Sequence, residues 1–378
     1  MRANTIRPSA QRGFNLIELM VAVTISSLIL IAVLRLFLDV SRTNDELAKT
    51  NAVIENGRFA IQLVQRDLMH TGFWDGYIPP YDDPIATTPG APPEDDDLPE
   101  LCAAYTGWTP VYKDALLAVP VQVSDAMPSG CSGDVSSNSD VLVTRHASTC
   151  AVGSTGCAAE VSGEPYIQVS RCMGEAPFIM GQADSTVFYL HKSGCDVSPT
   201  SALADKRRVV SHIYYIDSAT PTLMRASLGA SGFGTPQAMI DGVEAMRIEL
   251  GIDNYNANTG KAVDYTIGER GDGVPDEYLH CGVGCSADEL INAVSAQVYV
   301  LIRSDRATPG HAEEKVYHLG KKRNGEEFTL GPFNDGFKRH LFSTNVRFHN
   351  ISGRREVPPG VAQGELPADS ESGEGEPL

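Results

Sequence analysis

The strongest pattern along the chain is an unbroken apolar run near its start. From Phe14 to Leu34, 21 residues, Glu18 is the only charged side chain. As a helix this run measures about 32 Å, which matches a hydrocarbon core of about 30 Å. A buried helix of a water-soluble domain does not need so long a surface that is apolar all round. A cleaved secretory signal has a shorter apolar stretch with a small-residue site behind it, and no such site follows Phe37. Arg2, Arg7 and Arg12 precede the run with no acid among them, a bias that places the N-terminus in the cytoplasm and the bulk outside.

The helical period continues past the apolar run. Val53, Gly57, Ala60, Ile61, Val64 and Leu68 recur at spacings of three and four, while Arg58, Gln62, Gln65 and Arg66 fall mostly elsewhere. Gly72 suits a C-terminal cap. The pattern predicts one helix over residues 15–69, about 80 Å long, whose outer half buries its stripe against a sheet. Gly57 lowers helicity locally, and the sequence does not say why it is there.

Further on, the period shortens to two. "DVLVTRH", "YIQVSR" and "TVFYLHK" read as short strands. "RVVSHIYYID" and "PTLMRAS" read as a hairpin turning at Ser218–Pro221. "AMIDGVEAMRIELGID", "AVSAQVYVLIRS" and a final "LFSTNVRFHNI" alternate as half-buried strands do. Residues 79–100 contain seven Pro and seven acids and read as an exposed connector. Everything from residue 351 on reads as a disordered acidic tail. A long helix followed by mostly antiparallel strands is an α+β layout.

The formal charge of −18 argues against a nucleic-acid partner, whose phosphates would be repelled. All eight cysteines, Cys102, Cys131, Cys150, Cys157, Cys172, Cys195, Cys281 and Cys285, lie beyond the apolar run. An even set in an exported domain reads as disulfides formed in an oxidising compartment. Their connectivity is left open, with a small Cys281–Cys285 loop preferred over a zinc site at His280, Cys281 and Cys285, because C-x3-C has no matching second pair. "GERGDGVPDEY" sets Asp272, Asp276 and Glu277 around two glycines. Hard oxygen donors on a bent loop suit calcium, although Arg270 brings in a positive charge and an ordinary polar turn explains the same residues. The chain contains no G-x-S-x-G, P-loop, H-E-x-x-H or G-x-G-x-x-G, and its nine histidines are scattered. No enzyme is expected.

The start of the chain resembles a known signal. A basic leader ending in Gly13, then Phe14, then Glu18 at the fifth residue after that Gly, then an apolar helix, is similar to the class III signal of type IV prepilins and pseudopilins. The resemblance implies cleavage between Gly13 and Phe14 by prepilin peptidase, N-methylation of the new Phe14 amine, and retention of the helix. It also suggests why a carboxylate is kept at the edge of hydrocarbon. Glu18 neutralises the Phe14 amine of a neighbouring subunit, so the cost of each charge falls only when subunits meet. A carboxylate that merely snorkels to the interface is the simpler alternative.

"ENGRFAIQLVQRDLMHTGFWDG", "DGVEAMRIELGID", "NAVSAQVYVLIRS" and "KRHLFSTNVRFHN" resemble the PilW family of minor pilins. This implies a type IV pilin-like fold, in which the long N-terminal helix packs on a mainly antiparallel sheet. The expected divisions are a leader (1–13), a transmembrane helix (14–38), a periplasmic helical half (39–72), the connector (73–100), a Cys-rich variable region (101–207), a core sheet (208–350) and the tail (351–378). The implied role is a low-abundance subunit that primes pilus assembly and incorporates near the tip. The implied partners are other minor pilins, the major pilin, prepilin peptidase, the inner-membrane assembly platform, membrane lipid and a large tip adhesin. Such pili serve twitching motility, adhesion or DNA uptake. A type II secretion pseudopilin shares the leader and stands as the alternative; a membrane-anchored periplasmic enzyme is a third reading.

Overall fold

A computed structural model describes residues 13, 15–84, 90–185, 187–195 and 203–356. Most of the expected leader, Phe14, part of the connector and residues 357–378 of the expected tail lie outside the described residues. The chain divides into two compact units, residues 1–52 and 53–378.

Helix α1 spans Leu16–His70. No Gly or Pro interrupts residues 16–56, so nothing in that stretch breaks the backbone ladder. The helix ends where Gly72 adopts φ +73°, a left-handed geometry that favours glycine. The amide of Gly72 then donates to the Arg145 carbonyl at 3.1 Å.

The second unit contains two antiparallel sheets. The first is built from β1 (Val121–Ser124), β2 (Val141–Ala151), β3 (Pro165–Val169), β4 (Phe178–Gln182), β5 (Lys206–Ile216), β6 (Thr222–Gly229), β7 (Gly232–Phe233) and β8 (Gln237–Asp241). Its order is β1-β2-β5-β3-β4, and β6 pairs with β5, β7 and β8. Next come β9 (Val243–Ile252), the small pair β10 (Tyr255–Asn256) and β11 (Lys261–Ala262), β12 (Glu277–Leu279), β13 (Ala293–Arg303), the hairpin β14 (Tyr317–Lys321) and β15 (Glu327–Leu330), and β16 (Arg339–Arg347). The second sheet has the order β12-β9-β13-β16. Its central pair runs in long register, from Leu250 opposite Ala296 to Ala245 opposite Leu301.

The helical stripe inside this unit is the stripe read from the sequence. Val53, Ala60, Val64 and Leu68 are buried in one core with Tyr214 and Ile216 of β5, Met246 and Ile248 of β9, and Val298 and Val300 of β13. Both sheets therefore meet around residues 53–68 of α1. Asp140 joins the sheets at a second point: its amide donates to the Met246 carbonyl at 2.8 Å, and its Oδ2 accepts from the Ile248 amide at 2.7 Å.

Several elements depart from the sequence reading. "AMIDGVEAMRIELGID" is not one strand. Gly242, at φ +82°, turns the chain from β8 in the first sheet into β9 in the second, and a Cβ there would lie 2.8 Å from the Arg303 carbonyl oxygen. The described part of "TVFYLHK" forms no strand, only an isolated bridge from His191 to Leu203, and Val187 and Tyr189 are exposed. Helix α2 (Pro110–Ala118) was not expected. Thr109 caps it by accepting from the Tyr112 amide, and Pro110 begins it. Helix α3 (Ala287–Ile291) starts on a Ser286–Glu289 capping box.

The stretch read as an exposed connector is packed near its start: Tyr81 and Asp82 are buried. Composition failed there because one aromatic, Tyr81, and one paired acid, Asp82, anchor an otherwise polar segment. The tail reading also fails for residues 351–356. Helix α4 spans His349–Arg355 and buries Ile351, Ser352 and Arg355. The cysteines pair as Cys102–Cys131, Cys150–Cys157, Cys172–Cys195 and Cys281–Cys285, with none free.

Candidate functional site

The first part of α1 differs from everything else in the chain. Large apolar side chains from Leu16 to Leu38 are at least half exposed, among them Leu28, Leu30, Leu36 and Phe37. The segment is long and apolar enough to cross a membrane, with a mean hydropathy of 2.5 over its most apolar window and none of that window buried. Two of its hydroxyls are satisfied within the helix: Thr24 donates to the Met20 and Val21 carbonyls, and Ser27 to Val23. These polar groups therefore do not oppose transfer into hydrocarbon. Apolar surface on this scale requires a cover, either lipid or other protein.

The residues picked out at the start of the helix are placed as follows. Gly13 is described, and a Cβ there would meet nothing within 4 Å. Among the described residues, no contact requires a glycine at this position. Phe14 lies outside the described residues. Glu18 is exposed in the first turn, where its carboxylate accepts from the Asn15 amide at 3.3 Å. Asn15 stands one residue before the helix, so Glu18 covers one of the free amides at its start, and its charge opposes the helix dipole favourably. The sequence reading missed this local role, although Asn15 and Glu18 have the spacing of a capping pair.

The far end of α1 is held to the first sheet by a buried carboxylate. Asp67 Oδ2 accepts from Tyr214 at 2.8 Å and Thr144 at 3.3 Å, and sits 2.5 Å from His212 Nδ1. Burial pushes this carboxyl up, but the bonds from His212 and Tyr214 outweigh it and hold the group below its usual range.

Asp272, Asp276 and Glu277 are not brought together around one point. Asp272 accepts from the Ala257 and Val274 amides, Asp276 from the Asn254 and Tyr255 amides, and Glu277 from the Asn254 side chain. They act as turn residues that tie the 254–257 segment to the 272–277 segment. Among the described residues, no group of three or more His, Cys, Asp and Glu side chains is arranged to hold a metal. Both nitrogens of His280 are engaged, Nε2 with Asp140 and Nδ1 with the Gly282 amide, while Cys281 and Cys285 are disulfide-bonded.

The sequence reading also missed a buried clasp around Arg355. Its Nε donates to Asp82 at 3.0 Å, one Nη to Asp253 and Asn292 at 3.2 Å, and the other to Tyr265 and the Ile291 carbonyl. Arg354 also reaches Asp82, at 2.5 Å. The two acids respond differently. For Asp82 the burial cost is outweighed by Arg355 and Arg354, and its carboxyl sits low. For Asp253 burial wins over its share of Arg355, and its carboxyl sits high. The clasp joins α4 to the start of the connector and to the end of β9.

Comparison with known families gives two matches. Residues 8–34 match the prokaryotic N-terminal methylation motif, and residues 213–350 match the family described as type IV pilus-assembly protein W. Among solved structures, the type IV-like pilin TTHA1219 from Thermus thermophilus aligns with a TM-score of 0.35 and 12% identity, covering 79% of this chain and 96% of that one. Among curated proteins, no relative matches this sequence. The second match runs from β5 through the second sheet to the start of α4, and the first covers the exposed apolar start of α1. Over residues 213–350 the chain is similar to the PilW family of type IV pilus-assembly proteins, and over residues 8–34 it carries the prokaryotic N-terminal methylation motif.

Proposed function

We propose that this chain is a non-catalytic minor pilin, made as a prepilin, that helps prime assembly of the type IV pilus and incorporates into it near the tip. One observation carries the reading: a methylation motif leading into a bare apolar helix stands on the same chain as a pilus-assembly region. Prepilin peptidase cleaves after Gly13, where a glycine lets the enzyme approach the backbone closely; among the described residues nothing else requires a glycine there. Phe14 then becomes the N-methylated first residue. Before assembly the helix anchors the chain in the inner membrane, N-terminus in the cytoplasm and the second unit in the periplasm. After assembly the same apolar surface packs among other pilins, and Glu18 sets its register against a neighbour's Phe14 amine. The partners are the other minor pilins, the major pilin and the assembly platform, with a tip adhesin beyond them. Calcium at Asp272, Asp276 and Glu277 is not part of this reading, because each acid already holds backbone or side-chain amides.

Mass spectrometry of the protein recovered from sheared pili tests the proposal. The expected product begins at N-methylated Phe14. An intact leader in assembled pili overturns the processing step. Loss of protein secretion with normal pilus numbers on deletion of the chain would move it to a secretion pseudopilus.

A further inference from the structure

Two histidines beside the Asp67 anchor have no part in the reading above. His70 closes the last turn of α1 and is half-buried; His146 lies on β2 and is buried. Their ring centroids are 5.5 Å apart, with planes tilted by 31°. His70 Nδ1 lies 2.7 Å from the Arg66 carbonyl oxygen, and His146 Nδ1 lies 2.8 Å from the Ala147 carbonyl oxygen.

A carbonyl oxygen only accepts. Each Nδ1 therefore carries the proton, and each neutral ring is left with its lone pair on Nε2. Neither Nε2 has a hydrogen-bond partner among the described residues. A ring fixed through Nδ1–H to a backbone carbonyl, with Nε2 free, is how proteins commonly orient a histidine toward a metal. Two imidazoles that share one tetrahedral ion at about 2.0–2.1 Å hold their ring centres about 5 Å apart. The observed spacing is close to that. The negative side chain of Asp67 lies one helical turn before His70 and acts on His146, against the opposite influence of His70 and His212.

We propose that His70 and His146 form a site for one divalent transition-metal ion of the zinc or copper class, bound through both Nε2 atoms. Water fills the remaining positions. The ion cross-links the end of α1 to β2, beside the contacts that Asp67 already makes. A ligand that binds only the folded chain also raises its thermal stability.

The test uses the full-length chain in detergent, purified without a histidine tag. Titration with Zn²⁺, and with Co²⁺ as a spectroscopic reporter, should show one saturable site per chain with nitrogen ligation and a metal-dependent rise in Tm. His70→Ala removes a half-buried side chain at the end of a helix. It should stay folded, weaken binding by at least about tenfold and abolish the Tm rise. His146→Gln should do the same. If His146→Gln unfolds, His70→Ala decides alone. No saturable binding to the wild-type chain, or unchanged affinity in folded His70→Ala, overturns the proposal.

Discussion

The ring of Phe342 occupies the space that a side chain on Gly57 would need. A Cβ at residue 57 would lie 2.0 Å from Phe342 Cε2. Phe342 comes from β16 and stacks edge-on against His340 at 4.7 Å. This explains a glycine in the middle of a helix, where it costs about 1 kcal/mol relative to alanine. We expect Gly57→Ala to destabilise the chain, because forced overpacking of about 1–3 kcal/mol exceeds the helical gain. In a Phe342→Ala background the same change should become neutral or stabilising. Urea unfolding of the two single variants and the double variant checks this, and strict additivity would refute it.

The Arg355 clasp makes a larger effect. Arg355→Ala leaves Asp82 and Asp253 buried with less compensation, and removing one side of a buried ionic network costs about 3–5 kcal/mol. Arg355→Lys restores a charge but not the fork that reaches four side chains, so it should fall between the two. Thermal unfolding of both variants is the measurement. A wild-type Tm for Arg355→Ala would show that α4 is held by Ile351 and its apolar contacts alone.

These two cases show what the sequence could and could not reveal. The stripe from Val53 to Leu68 was legible because one long helix repeats its period against a single core. Strands β9 and β13 were legible through alternation. The break at Gly242 was not, since a glycine inside an alternating run looks the same whether the strand continues or changes sheets. Arg355 was unreadable for a different reason: its partners, Asp82, Tyr265, Asp253 and Asn292, come from distant segments, and the surrounding composition is polar and acidic. At the candidate site, the apolar helix and Glu18 stand out by themselves, whereas His70 and His146 are 76 residues apart and meet only through the packing of a helix on a strand.

Acid should weaken the segment closed by Cys172–Cys195. Glu175 accepts from Ser170 at 2.6 Å and from the His191 amide at 3.0 Å, and its other oxygen lies 2.6 Å from His191 Nδ1. The Ser170 bond, followed by those of His191, holds its carboxyl down to about 2. A depressed carboxyl contributes stability above its unfolded value of 4.5 and loses it as pH falls toward 2. The Tm difference between wild type and Glu175→Gln should therefore be steady near neutral pH and shrink across that window. A difference that does not change with pH would show that these hydrogen bonds act independently of the charge.

Glu18 has two proposed duties, and a pair of substitutions separates them. Its carboxylate caps the Asn15 amide within the chain, and under the pilin reading it also neutralises a neighbour's Phe14 amine. Glu18→Gln keeps an oxygen that can accept from Asn15 but removes the charge; Glu18→Ala removes both. Neither change should impair membrane insertion, since each makes the apolar run less polar or less charged. If assembly depends on the charge, both variants should be processed and stable yet fail to enter the pilus. Truncating one side of a desolvated ion pair costs about 3–5 kcal/mol per contact, well over a hundredfold in association. If Glu18 acts only as a cap, the glutamine variant should assemble like wild type and the alanine variant should lose about 1 kcal/mol of helix stability at most. Co-purification with other minor pilins, read beside pilus counts, distinguishes these outcomes. Wild-type incorporation by Glu18→Gln would leave the carboxylate a local capping group and remove it from the assembly interface.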